Sequence, residues 1–252
     1  MGKQDEAAVF IGIDLAWKTA NPSGGAAIRD GRLVAHTGTL GSNDEIMAFI
    51  AEHLSPMGGA VVAVDAPLRV PNQTGRRPCD AALSAQWRRF HAGALPANRT
   101  RLAEAGVVRG EALVAALVAR LRFAEASTIP RHSQARLVCE VFPHPAHIAL
   151  FGLERILKYK RGSVSERRSE LARYQTLLRG LRKASPALKG TGDLLVGVDV
   201  AGLRGRALKE HEDTLDALTC AYVAAYLWEH GPKAAISYGS LAEGSILVPV
   251  RK

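Results

Sequence analysis

Four aspartates stand where this chain can do metal chemistry. Asp14 closes the apolar run Val9 to Ile13, and Asp65 closes a second run, Ala60 to Val64. Asp213 and Asp216 stand three apart in Glu210-His211-Glu212-Asp213-Thr214-Leu215-Asp216, where the most hydrophobic helix of the chain opens, so they share one helix face. Burying an ionised carboxylate is costly unless it is paired or holds a cation. Singly, each acid has an ordinary reading, as a turn cap or as a first-turn helix acid worth about 0.3–1 kcal/mol. Together they match a centre for divalent cations, because Mg²⁺ takes hard oxygen ligands from a few carboxylates and leaves the rest of its shell to water and phosphate oxygens. Two such ions about 3.5–4 Å apart can activate a water and stabilise the leaving oxygen of a phosphodiester.

The elements that must position these acids follow from the hydrophobic pattern. Strands are expected at Val9 to Asp14, at Ala26 to Arg29 and at Arg32 to Thr37, the last two joined by the turn pair Asp30-Gly31. Ser42-Asn43-Asp44-Glu45 caps a helix through about Leu54, and the β-branched run Ala60 to Asp65 follows, with Pro67 ending it. A helical connection favours a parallel neighbour, so the strand ending at Asp65 is expected beside the one ending at Asp14, with both acids at one sheet edge. Residues 68 to about 106 break this rhythm: arginines alternate with Trp87, Phe90, prolines and glycines, and only Cys79 to Phe90 reads as a short helix. Helices are expected at Gly110 to Ala126, Ala146 to Lys158 and Ser165 to Lys183, and a strand at Leu137 to Phe142 that carries Glu140. The buried helix from Glu210 to Trp228 comes next, and a hairpin spanning Ala235 to Val250 closes the chain.

At 252 residues and 47% hydrophobic, the chain is read as one domain over 1–252 with an insertion at about 68–106. No apolar run reaches the ~20 residues of a membrane span. Met1 to Glu6 lacks the basic-then-apolar layout of a signal peptide, so a cytoplasmic location is expected. Cys79, Cys139 and Cys220 are too few and too far apart for a disulfide framework, and they read as reduced packing residues. His144 and His147, with no cysteine nearby, read as strand-end and helix-start residues rather than as a zinc site. The formal charge of +9 favours polyanions, and arginines interleaved with aromatics suit phosphate contacts and base stacking. That makes Arg69, Arg76, Arg77, Arg88 and Arg89 the expected nucleic-acid contacts.

Ile11-Gly12-Ile13-Asp14, Val62-Ala63-Val64-Asp65 and Asp213-Thr214-Leu215-Asp216-Ala217-Leu218, set in a strand-strand-strand-helix-strand order, resemble the ribonuclease H-like superfamily. The last of these motifs is similar to RuvC-type Holliday-junction resolvases, although Asp65 stands where those enzymes generally carry Glu. Val64-Asp65-Ala66-Pro67, Arg77-Pro78-Cys79-Asp80, Glu140-Val141-Phe142-Pro143-His144 and the tail Gly239 to Gly244 resemble the domain of unknown function 429, described as predicted RNase H-like nucleases. The resemblance implies an α/β ribonuclease H-like fold: a mixed five-stranded central sheet flanked by helices, a basic insertion after the fourth strand, and a C-terminal hairpin. It implies Asp14, Asp65, Asp213 and Asp216 as ligands of Mg²⁺ or Mn²⁺, with Glu140 as a further catalytic acid that can supply the reach the shorter Asp65 lacks. His211 either assists a proton transfer or faces solvent.

The expected function is a metal-dependent nuclease that hydrolyses DNA or RNA phosphodiesters, with nucleic acid as partner, no membrane association, and a homodimer by analogy alone. One alternative is a binding module that keeps the fold and the basic surface without turnover. A more distant one is an ATP-binding phosphotransferase of the actin and hexokinase group, for which Gly24-Gly25 is a thin phosphate loop.

Overall fold

Unbroken apolar runs bounded by turn residues form the central strands of this protein, and amphipathic segments cover them. A computed structural model describes residues 7–251. Met1 to Glu6, read above as unlike a signal peptide, lies outside the described residues. The chain opens with β1 (Val9–Asp14), β2 (Ser23–Arg29) and β3 (Arg32–Leu40), followed by α1 (Asn43–His53) and β4 (Ala60–Val64). Next come α2 (Pro78–Trp87), α3 (Arg99–Leu102), the two-residue strands β5 (Ala103–Glu104) and β6 (Val107–Val108), and α4 (Arg109–Leu121). Then follow β7 (Ala124–Glu125), β8 (Arg136–Glu140), α5 (Pro143–Phe151), α6 (Val164–Gly180), α7 (Gly192–Leu195), α8 (Gly205–His230), β9 (Ala235–Ser240) and β10 (Gly244–Pro249).

The main sheet is mixed, with strand order β3-β2-β1-β4-β8-β7. The strands β1, β4, β8 and β7 run parallel, and β2 is antiparallel to both β1 and β3. The expected count of five strands is therefore corrected to six. The extra strand comes from a segment read as helix: α4 ends at Leu121 because Arg122 takes a positive φ of 59°, and Ala124–Glu125 then runs along β8. The segment at about 68–106 is more ordered than its composition indicates, since it holds α2, α3 and the small β5–β6 hairpin. The C-terminal hairpin β9–β10 forms a sheet of its own, tied to α2 where Trp87 Nε1 donates to the Tyr238 hydroxyl at 2.7 Å.

Alternation along β1 divides the core into two layers. Val9, Ile11 and Ile13 pack with Ile46, Met47 and Ile50 of α1 and Leu113 and Leu117 of α4. Phe10 faces the opposite way, into the layer of α8, α5, α6 and α2. Helix α8 lies so close to the sheet that glycine is required beneath it. A Cβ on Gly12 would sit 1.9 Å from the Ala217 carbonyl oxygen, one on Gly24 2.1 Å from that of Asp213, and one on Gly38 2.4 Å from that of Glu210. Three glycines on three neighbouring strands thus form a bed that sets how far α8, and the acids on it, stand from the end of β1. Among the described residues no helix is long and apolar enough to cross a membrane.

Candidate functional site

Parallel pairing decides where the strand acids go. Ile13 lies opposite Val64, and the Asp65 amide donates to the Ile13 carbonyl at 2.8 Å, so Asp14 and Asp65 leave adjacent strands at the same end of the sheet. Helix α8 brings Asp216 to that point from the layer above. Asp14 and Asp216 meet on one ammonium group. Lys160, in the segment between α5 and α6, places its Nζ 2.5 Å from Asp216 Oδ2, 3.4 Å from Asp14 Oδ2 and 3.9 Å from Asp213 Oδ1. The Tyr159 hydroxyl donates to the other oxygen of Asp216 at 2.6 Å, while Asp213 is paired mainly with Lys209 one turn before it. The sequence places Asp213 and Asp216 in a first turn, and the structure corrects this. Helix α8 begins at Gly205, so both acids are interior to it and buried, out of reach of the amides at its start.

The charge at this centre does not balance. Burial raises the Asp14 carboxyl from its ordinary 3.8 to about 7, opposed by Lys160 and reinforced by Asp216 and Asp213. Asp65 is pushed well above the ordinary carboxylate range, by burial first and by Asp14 next. Burial acts on Asp216 in the same direction, yet Lys160, His147 and the Tyr159 hydroxyl hold it below its ordinary value. Burial works against the charge of Lys160, but Asp14, Asp216 and Asp65 keep its proton firmly in place. One ammonium thus satisfies Asp216 and leaves Asp14 and Asp65 short of positive charge.

Carboxyl oxygens that burial leaves holding protons a cation can displace are hard donors of the kind a divalent cation takes. Their spacing is a separate matter. Among the described residues no group of three or more Asp, Glu, His or Cys side chains is arranged to hold a metal ion. The donor chemistry fits, while the position between the carboxylates is held by the Lys160 ammonium.

Glu140 is not among the acids gathered on Lys160. Its oxygens accept from both terminal nitrogens of Arg77, at 2.6 and 2.8 Å, and from the Leu68 amide at 3.0 Å. Arg77 is no phosphate contact: it is 2% exposed and bridges Glu140 to Asp80, which it meets at 2.7 Å. Removing one member of such a buried network leaves an uncompensated charge, typically at a cost of about 3–5 kcal/mol. Arg69 is half-exposed and pairs with Glu125, Arg76 and Arg88 are exposed, and exposed Arg89 lies over the Phe90 ring. His211 does not face solvent. It is buried against Gln175, and burial lowers it to about 4, so it is neutral. His147 is also buried, on the Tyr174 hydroxyl, and burial lowers it to about 3.

Sequence reasoning missed Lys160, Tyr159, Arg161 and Arg109. The signal for the first three is the run Lys158-Tyr159-Lys160-Arg161, where one amphipathic aromatic interrupts basic residues just past an expected helix. Beside Asp65 opens a cavity of about 160 Å³ lined by Trp17, Leu95, Phe142, His144 and Arg161. It shares His91, Ile156 and Arg161 with an open trough of about 720 Å³ that continues past Lys158 and Arg173. Arg109 is buried behind β1 and donates to the carbonyls of Ala16, Lys18, Asn21 and Gly41, which fixes the loop that follows Asp14.

The fold and site therefore define a mixed α/β protein with a carboxylate centre at the end of its parallel strands. The chain belongs to the DUF429 family, described as proteins of unknown function, whose model matches residues 12–235. Neither the curated proteins nor the solved structures gave a match.

Proposed function

We propose that this protein is a divalent-metal-dependent nuclease of ribonuclease H-like fold that hydrolyses phosphodiester bonds of DNA or RNA. The observation that carries the reading is the meeting of Asp14, Asp65 and Asp216 at one sheet end, where the Lys160 ammonium pairs with Asp216 and Asp14. The order β3-β2-β1-β4-β8, with β2 antiparallel in an otherwise parallel set, supports the fold assignment. Asp14 and Asp65 would hold Mg²⁺ or Mn²⁺ together with Asp216, and a bound ion supplies an activated water and charge stabilisation at the scissile phosphate. The trough that opens from the cavity beside Asp65 carries Lys158, Arg161 and Arg173 together with Glu166 and Glu170, and Arg161, which lines both, is the cation that supports a phosphate contact near Asp65. Trp17 and Phe142 give the adjoining cavity aromatic faces on which a base can stack. These are not the arginines expected from sequence, but they serve the same chemistry.

The competing reading, a nucleic-acid-binding module without turnover, draws on the lack, among the described residues, of a preformed group of three ligands. Cleavage of labelled single-stranded, duplex and branched DNA and RNA with Mg²⁺ or Mn²⁺ separates the two. The expected result is metal-dependent cleavage of at least one substrate, reduced more than about 100-fold in Asp14→Asn and Asp65→Asn with binding and circular dichroism retained. Binding without cleavage of any substrate would favour the module, and cleavage undiminished in both variants would remove the activity from Asp14 and Asp65.

A further inference from the structure

Lys160 occupies the one position that a cation shared by these acids would take. Its Nζ stands 2.5 Å from Asp216 Oδ2 and 3.4 Å from Asp14 Oδ2, so an ammonium and a metal ion cannot both lie there. The two oxygens belong to different elements, α8 and β1, and among the described residues no other group bonds to both. The remaining surroundings set Lys160 apart from an ordinary structural lysine. Its neighbour Tyr159 is wholly buried and anchored twice, through its hydroxyl on Asp216 at 2.6 Å and its carbonyl on Arg167 Nε at 3.2 Å. Among the described residues Lys160 has no such anchor beyond its own ammonium, and its side chain remains 32% exposed. It belongs to a stretch between α5 and α6 that carries neither helix nor strand, with Gly152 and Gly162 in positive φ at 64° and 99°. The stem can therefore rotate toward the trough, where Lys158 and Arg161 already face solvent, while Tyr159 keeps its place on Asp216.

We infer that Lys160 is the resident counter-cation of the carboxylate centre, and that a divalent ion enters by exchange with it. The inference rests on the metal-dependent reading above and adds a component that reading does not contain. A divalent ion brings one more positive charge than the ammonium it replaces, to a sheet end that also carries Asp65, so exchange is favoured electrostatically. The released ammonium joins Lys158 and Arg161 at the trough, in reach of a phosphate of the substrate. Loading with metal and preparation of the phosphate track thus become one event.

Two measurements test this, each with Mn²⁺ as the probe. In the unaltered protein, amine labelling read by mass spectrometry should modify Lys160 faster when Mn²⁺ saturates the protein, with Lys158 unchanged as internal control. By calorimetry, Lys160→Met should bind Mn²⁺ at least about tenfold more tightly than the unaltered protein, because the competing charge is gone. Lys160 labelling that stays constant or slows while Mn²⁺ binds, or affinity unchanged or weakened in Lys160→Met, would overturn the exchange and leave the metal-dependent reading intact. No Mn²⁺ binding by either protein would overturn both. The labelling arm needs no variant, so a Lys160→Met chain that fails to fold does not decide the matter.

Discussion

An aspartate inside a buried helix has no helix-end amides to neutralise it, so its partners must come from elsewhere. Asp216 finds them in Lys160 and Tyr159, on a segment more than fifty residues earlier in the chain. Such a long-range pair leaves little trace in sequence. Asp14 and Asp65 were legible because a carboxylate at the end of an apolar strand demands an explanation, whereas a lysine in a basic run does not. The same limit accounts for Arg77, which sits among exposed arginines in sequence and is singled out only by the buried acids that surround it. Behind the centre, His147 provides a test of this buried environment. Burial lowers it from the ordinary 6.5 to about 3. Between those values the unfolded chain holds a proton that the native one does not, so this residue makes stability rise with pH across the window and adds nothing further above it. Replacing His147 with Gln should flatten the pH dependence of the unfolding free energy from urea titrations between about pH 4 and 6 by about 1.4 kcal/mol per pH unit. An unchanged slope would mean that His147 takes up its proton in the folded state.

At the scale of elements, the site depends on how close α8 comes to the sheet. Gly12, Gly24 and Gly38 each sit where an added Cβ would meet the backbone of α8 within 2.4 Å. Gly12→Ala should therefore force the helix and sheet apart and destabilise the protein by about 3 kcal/mol or more, read as a fall in the urea midpoint. Because Asp213 and Asp216 ride on this helix, Mn²⁺ affinity should fall in the same variant. A Gly12→Ala protein as stable as the original would show that α8 is free to shift. The sequence indicates the existence of β1, β4, β8 and α8 through their apolar runs, and it places α1 through its capping box, which is present as Ser42 and Glu45. It misplaces boundaries where the deciding fact is tertiary. Helix α8 begins five residues before Glu210 because Leu208 is buried in the core, and β7 leaves the helical pattern because an edge of β8 is open to pair.

For the whole molecule, the chemistry lies at one end of the parallel strands, and the charge that serves it lies beside that end. The excess of Lys and Arg over acids is spread widely, with several arginines committed to buried or paired positions: Arg77 to Glu140, Arg99 to Glu111, and Arg109 to loop carbonyls. Net charge therefore overstates the surface available to a polyanion, and Arg161, which lines both the cavity beside Asp65 and the trough, is an exposed basic residue that adjoins the acids. The measurement that bears most directly on this account is anomalous diffraction at the manganese edge from crystals of the full chain soaked in Mn²⁺. The account predicts a peak at the ends of β1 and β4, about 2.0–2.2 Å from carboxylate oxygens of Asp14 and Asp65, with the Lys160 ammonium moved away from Asp216. No peak there, with Lys160 still seated between Asp14 and Asp216, would contradict it.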